Sequence, residues 1–276
     1  MEENQQVMSS NQDEDYRAVN RNSWNQRTAV HIDSEFYDNK SFIAGRNSLK
    51  NIELKLLGNV EGKRILHLQC HFGQDSISLA RLGAEVTGVD LSDKAIIEAR
   101  ALAKTVGVDC RFICSDLFEL PDQLNETFDV VFTTYGTIAW LPDLDKWASI
   151  VSRFLKPGGQ FVFVEFHPVV WMFDDDLKEV AYSYFQADPI VEIEAGTYAN
   201  KEANINQKCI TWNHGIGEVV TALLKQNIQI KSLEEFDYAN YPALANAEEF
   251  EPGKYRVKHF GNKIPLLYAI EGQKAV

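Results

Sequence analysis

Basic charge, cysteine and long apolar runs are all scarce in this chain, and each scarcity removes a class of function. Lys and Arg number 27 against 40 Asp and Glu, a formal charge of -13. A non-specific nucleic-acid surface displaces phosphate counterions with clustered basic side chains, so a bulk nucleic-acid binder is excluded on that balance. Attraction to an anionic membrane surface is disfavoured for the same reason. No stretch approaches the roughly 18 uninterrupted apolar residues of a spanning helix. The opening run MEENQQVMSSNQDED has neither a basic n-region nor an apolar h-region, so it does not read as a secretory signal. The expectation is a soluble, cytoplasmic protein.

The four cysteines, Cys70, Cys110, Cys114 and Cys209, form no CxxC pair and have no histidine at zinc-finger spacing. Neither a disulfide framework nor a metal site is indicated, and they read as reduced core thiols. Cys110 and Cys114 stand four apart in a strand-like run, which puts both on one sheet face as packing groups.

At roughly 150 residues per domain, the 276 residues suffice for two units or one decorated domain, and the 45% hydrophobic content is ordinary for a globular chain. Residues 1–15 are polar, acidic and aperiodic, and read as a disordered tail. Residues 16–61 form an arm and a helix. Tyr16, Trp24, His31, Phe36 and Tyr37 make the arm too aromatic for a mere tail, and 41–58 is amphipathic with Gly58 as its stop. Residues 62–166 alternate strands and helices. Strands are expected at 65–69, 85–89, 109–114, 128–133 and 160–166, and helices after Gly73, over 92–105, and over 143–155 up to the turn KPGG. Apolar, β-branched strands alternating with helices argue for an α/β fold, a parallel sheet covered on both faces. The rhythm breaks over 167–214, an inserted cap. It resumes over 215–276 with a helix at 216–226 and strands at 228–236 and 263–270, the stretch 237–262 reading as loop.

Open α/β sheets take ligands at the carboxyl ends of their strands, and the first βα turn approaches closest. Here that turn is LHLQCHFGQDS, with the single glycine Gly73 free of a Cβ that could block a ligand. Asp90 ends the second strand in VTGVDLS, where a carboxylate can accept hydrogen bonds from both hydroxyls of a ribose. An Arg there would suit a 2′-phosphate, so NADP is disfavoured. Taken singly, Asp90 also reads as a helix-start acid, Asp116 as a cap, and His71 as a packing residue.

The series LHLQCHFGQD, AEVTGVDLS, CSDLFEL, FDVVFTTYG and LKPGGQFVFVEF, in this order, resembles the class I S-adenosylmethionine-dependent methyltransferases over roughly residues 62–166 and the last two strands. The resemblance implies a Rossmann-like, seven-stranded, mostly parallel sheet with its last strand antiparallel, and S-adenosylmethionine as cofactor. The family's loop usually reads D/E-x-G-x-G-x-G. With the last glycine on Gly73, His67, Gln69 and His71 stand where the acid and the first two glycines are expected, an altered spelling that looks like a bacterial subgroup. The resemblance further implies that Asp90 holds the ribose, that Leu91 packs on the adenine, and that Asp116, with Ser115 and Leu117, meets the adenine amino group. Thr134, Tyr135 and Gly136 fall at the methionine moiety and the reacting methyl.

Methyl transfer is an in-line displacement, so the protein supplies proximity, orientation and a dry pocket. A protic nucleophile also needs a proton acceptor within about 3 Å. Tyr135, Glu165, His167 and His214 are the candidates near strand ends, a structural role being as open for either histidine. The insert carries Trp171, Phe173, Tyr182, Tyr184, Phe185, Tyr198 and Trp212, with eight acids against three lysines. It reads as a substrate cap or as a packing or dimerisation insert, and favours a small, neutral or cationic acceptor. Trp24, His31 and Tyr37 could close over the cofactor, or belong to a plain docked arm. Two rivals stand beside the enzyme reading: a non-catalytic binding module, and an NAD-dependent oxidoreductase, disfavoured by the missing GxGxxG.

Overall fold

The chain is described by a computed structural model over residues 15–185 and 188–276. The tail expected over 1–15 therefore lies, except for Asp15, outside the described residues. Asp15 caps helix α1 (Tyr16–His31) by accepting from the Arg17 amide at 3.0 Å. The aromatic arm is thus a helix. Hydrophobic periodicity misses it because its buried residues are Asn20, Ser23, Arg27, Thr28 and His31, all polar.

The helix expected over 41–58 is two: α2 (Asn39–Ile43) and α3 (Asn51–Leu57). The chain turns at Gly45, whose φ of 117° a side chain rarely adopts, and Ser48 donates its amide to Ser78 Oγ at 3.1 Å instead of continuing a helix. Gly58 ends α3 as expected.

The core then runs β1 (Arg64–Leu68), α4 (Gln74–Arg81), β2 (Glu85–Asp90), α5 (Asp93–Val106), β3 (Arg111–Cys114), α6 (Leu120–Gln123), β4 (Phe128–Thr134), α7 (Leu144–Phe154) and β5 (Leu155–Phe166). After β6 (Ile190–Ala195) and β7 (Asn206–Thr211) come α8 (Ile216–Lys225), β8 (Ile228–Phe236), β9 (Ala247–Glu251), β10 (Lys254–Val257) and β11 (Leu267–Lys274). Seven strands form one sheet in the order β3-β2-β1-β4-β5-β11-β8. The first five are parallel, and β11 runs antiparallel to both β5 and β8. Strand order reverses between β1 and β4, which opens a crevice above their carboxyl ends.

Alternate residues of the central strands feed opposite faces, as buried parallel strands require. Leu66, Val131, Phe161 and Phe163 pack with Trp147 of α7 and Leu223 of α8, while Ile65, Val130, Phe132 and Val162 pack with Leu57 and Leu79. Each fully buried side chain of this size contributes about 1.5–3 kcal/mol, so this double core fixes the strand ends that carry the site.

Three expectations change. KPGG does not close α7 as a separate turn: it lies within β5, where the pairing jumps from Phe128–Leu155 to Val130–Gln160 and Gly158 takes φ 76°. The last strand starts four residues later than expected, because pairing begins only at Leu267, beyond Pro265. The loop-like stretch 237–262 contains the β9–β10 hairpin, whose β9 is almost wholly exposed and carries Glu248 and Glu251 paired with Lys258 and Lys254, a pattern without apolar alternation. All four cysteines are unpaired, and Cys110 and Cys114 both pack partly buried against the cluster around Phe112. No helix among the described residues is long and apolar enough to cross a membrane.

Candidate active site

A cavity of about 1060 Å³ opens above the carboxyl ends of β1 to β4. Ligand pockets usually run to about 1,000 Å³, so this one has room for two small molecules side by side. Tyr16, Asn20, Trp24 and Arg27, one face of α1, line it from above, and residues 190 and 192–195 of β6 line it from the insert. Asn20 fastens the two covers together: its amide donates to Ile210 O at 2.8 Å and accepts from Ile210 N at 3.0 Å. Arg27, 4% exposed, bonds Glu194 at 2.8 Å and lies over Trp24 and Trp140. The sequence marks Tyr16 and Trp24 of this face as arm aromatics, but Asn20 and Arg27, polar and buried, give no periodic signal.

The loop after β1 sets the floor. Gln69, His71 and Gly73 all take left-handed backbone, with φ of 54°, 51° and 81°. For a residue with a Cβ this costs about 1–2 kcal/mol, and side chains hold the loop there. Gln69 donates to Thr137 O at 2.8 Å, and the His71 amide donates to Asp90 Oδ2 at 2.8 Å. The His71 ring shares a 2.9 Å hydrogen bond with His31 and packs on Phe72 and Trp24. A Cβ on Gly73 would stand 2.8 Å from the Phe112 ring. The loop therefore keeps a glycine-like path at two positions where it has no glycine. His67, where an acid is expected, is buried, bonds Ser76 Oγ at 2.8 Å and is kept neutral by burial, which pushes its pKa down to about 3.

Asp90 lines the cavity, and its two oxygens each take one backbone donor, His71 N and Ser92 N, both at 2.8 Å. Burial raises its carboxyl to about 6 against those donors. Leu91, Ser115, Asp116, Leu117 and Thr134 line the same cavity. Asp116 also takes the Phe118 amide at 2.8 Å, so it caps the next turn and faces the cavity at once. Ser115 hydroxyl donates to Asp116 O and accepts from Gln123. Gln69 Oε1 and His71 Nδ1 are buried without a hydrogen-bond partner. Such atoms are costly unless a ligand or water satisfies them.

The proton-acceptor candidates separate. Tyr135 lines the cavity in left-handed backbone (φ 53°), and its hydroxyl donates to Glu53 at 2.8 Å and accepts from Asn240 at 2.6 Å. Glu53, fully buried on α3, has its carboxyl raised to about 7 by burial and the neighbouring Asp75. Glu165 is consumed by the wall: it accepts from the amides of Gly136, Thr137, Ile138 and Phe166, and so braces the loop after β4. His167 and His214 do not line the cavity and are corrected to structural roles. His167 Nδ1 accepts from Val169 N, leaving Nε2 to donate to Glu235; His214 Nε2 donates to Leu141 O. Two charged groups away from the strand ends, Lys50 and Asp75, line the cavity beside Tyr241.

The comparisons with known proteins concern the core and the fold. The family model described as "Methyltransferase domain" matches residues 65–159, the segment from β1 to the KPGG bulge. Over that segment the α/β core is similar to a methyltransferase domain. A ubiquinone biosynthesis O-methyltransferase of Alkalilimnicola ehrlichii is 36% identical over 107 residues, 39% of this chain and 43% of that protein. The chain thus spans less than half the length of that curated relative. Among solved structures, an S-adenosylmethionine-dependent methyltransferase of Clostridium acetobutylicum matches with TM-score 0.56 and 16% identity over 94% of this chain and 100% of that one. The magnesium protoporphyrin IX methyltransferase of Synechocystis, with its demethylated cofactor bound, matches with TM-score 0.54 and 16% identity, covering 95% and 100%. At these identities the structures share the fold. α1, α2 and α3 lie outside the matched segment of the methyltransferase domain, as do β6 and β7.

Proposed function

We propose that the protein is an S-adenosylmethionine-dependent methyltransferase acting on a small molecule. The observation that carries this reading is the glycine-like path of 69–73 ending against Asp90, with Gln69 Oε1 and His71 Nδ1 left to a ligand. An adenosyl amino acid fits that lining. Asp116, Ser115 and Leu117 meet an adenine, Asp90 a ribose, and Thr134 with Gln69 and His71 the chain beyond it. When bound, S-adenosylmethionine supplies a methyl made electrophilic by a positive sulfonium.

The chain's own contribution is orientation and exclusion of water. Glu165 fixes the loop 136–138, Trp24 and Trp140 pack edge to face at 5.1 Å, and β6 covers the mouth. Tyr135 is the remaining polar hydroxyl of our proton-acceptor candidates on the cavity wall. Residues 167–214 serve as the cap, residues 62–166 as the cofactor core, and 16–61 as the second cover. Glu192 and Glu194 on β6, with Asp175 and Asp176, give the mouth an acidic lining, which supports a neutral or cationic acceptor over a phosphorylated one. Four unpaired thiols suit a cytoplasmic setting.

Calorimetric titration with S-adenosylhomocysteine tests the reading: saturable binding is expected. Binding of NAD in its place would transfer the fold to the oxidoreductase reading, and binding of neither would leave a non-catalytic module.

A further inference from the structure

The charged groups of the cavity are nearly all committed. Arg27 is paired with Glu194, and Asp90 and Asp116 hold backbone amides. Glu53, behind the wall, holds Lys50 N and the Tyr135 hydroxyl. Asp75 and Lys50 form no ion pair among the described residues, and Asp175 and Lys201 of the lining share that. Asp75 stands one residue into α4, near Ser48, and has its carboxyl raised by burial. Lys50 holds its ammonium 4.8 Å over the Tyr241 ring, and burial lowers its pKa while Asp75 pulls it back up. The two groups feel each other, yet among the described residues no ion pair within 4.0 Å joins them. Arg46 adds a second cation whose Nε is buried without a partner.

An acid and a base held apart on one cavity wall leave a gap that a zwitterion closes, its two charges each meeting an opposite one out of bulk water. We propose that Asp75 and Lys50 form a clamp for an α-amino carboxylate, the ammonium on Asp75 and the carboxylate on Lys50 with Arg46 behind it. Two ligands bring this chemistry: the amino-acid half of the cofactor, in which case the inference rests on the methyltransferase reading, and an amino-acid acceptor.

The test is calorimetry on the full chain with S-adenosylhomocysteine, with 5′-methylthioadenosine, which lacks the amino-acid half, and with L-methionine and L-tyrosine. Asp75→Asn and Lys50→Met are compared with wild type after their melting curves confirm folding. If the clamp holds the cofactor, both variants weaken S-adenosylhomocysteine at least about tenfold and leave 5′-methylthioadenosine within about twofold. If it holds the acceptor, both nucleosides bind as before, while an amino acid that binds the S-adenosylhomocysteine-loaded wild type is lost in the variants. Equal loss of both nucleosides, or no change for any ligand, overturns the clamp. If wild type binds neither nucleoside, the functional reading falls, and the clamp stands or falls on L-methionine and L-tyrosine binding to the ligand-free protein.

Discussion

The backbone amide of His71 donates to Asp90 Oδ2 at 2.8 Å, so one carboxylate both pins a left-handed residue of the loop and faces the cavity. Sequence comparison sees two lost glycines at 69 and 71. The backbone is left-handed at both positions, and at His71 it is held by an acid at the end of the next strand.

In the proposed role Asp90 would trade stability for binding. Its pKa is raised from 3.8 to about 6, so the folded state holds more protons than the unfolded one between those values. Stability attributable to this group falls as pH rises through that window and stays reduced above pH 6. Asp90→Asn is expected to raise the unfolding free energy at pH 8 by on the order of 1–3 kcal/mol, less the cost of leaving one of its two backbone amide donors without an acceptor. The same variant is expected to weaken S-adenosylhomocysteine at least about tenfold. Denaturant unfolding and calorimetry at pH 8 check both, and a variant that is less stable and binds equally well contradicts the assignment.

Binding should carry the same signature in wild type. Protonation of Asp90 removes its negative charge, so affinity for S-adenosylhomocysteine should decline as pH falls through about 6. Titrations at pH 5, 6 and 8 resolve it, with Asp90→Asn as the flat reference.

The left-handed path predicts an inverted glycine effect. His71→Ala must stay at φ near 51° and is expected to be less stable than His71→Gly by about 1 kcal/mol, although glycine normally destabilises relative to alanine. Paired urea melts of the two variants measure the difference.

Gly73→Ala adds a Cβ 2.8 Å from Phe112 to a residue at φ 81°, and an expected loss of about 2 kcal/mol or more combines overpacking with strain. Phe112→Leu in the same chain should recover the packing part only, so the double variant should be more stable than the two single losses predict.

His167→Ala and His214→Ala are expected to leave S-adenosylhomocysteine affinity within about twofold while lowering stability by about 1 kcal/mol through lost wall hydrogen bonds. A large loss of affinity in either would return that histidine to the site.

The strands of the core were legible because Ile65, Val130, Phe132, Val162 and their neighbours are buried on both faces, and apolar runs between turn residues announce such strands. Asp90 and Asp116 were legible because one ends β2 and the other follows β3 by two residues, fixed places in a βα rhythm. α1 was not, since its buried face is Asn20, Ser23, Arg27 and His31, and their partners Ile210, Cys209 and His71 are remote in sequence. His167 and His214 were read as site residues from their nearness to strand ends, but nearness does not say which way a ring turns. Both rings turn into the wall. Lys50 and Asp75 carry no local signal, because their relationship is made by the chain reversal at Gly45.

The central claim is that a loop spelled with Gln69 and His71 still forms a cofactor site. Calorimetric titration of the full chain with S-adenosylhomocysteine, beside Asp90→Ala, tests it most directly. The account predicts saturable one-to-one binding with Kd below about 100 μM, weakened at least about tenfold by the substitution. No binding at millimolar ligand, or equal binding by the two proteins, would contradict it.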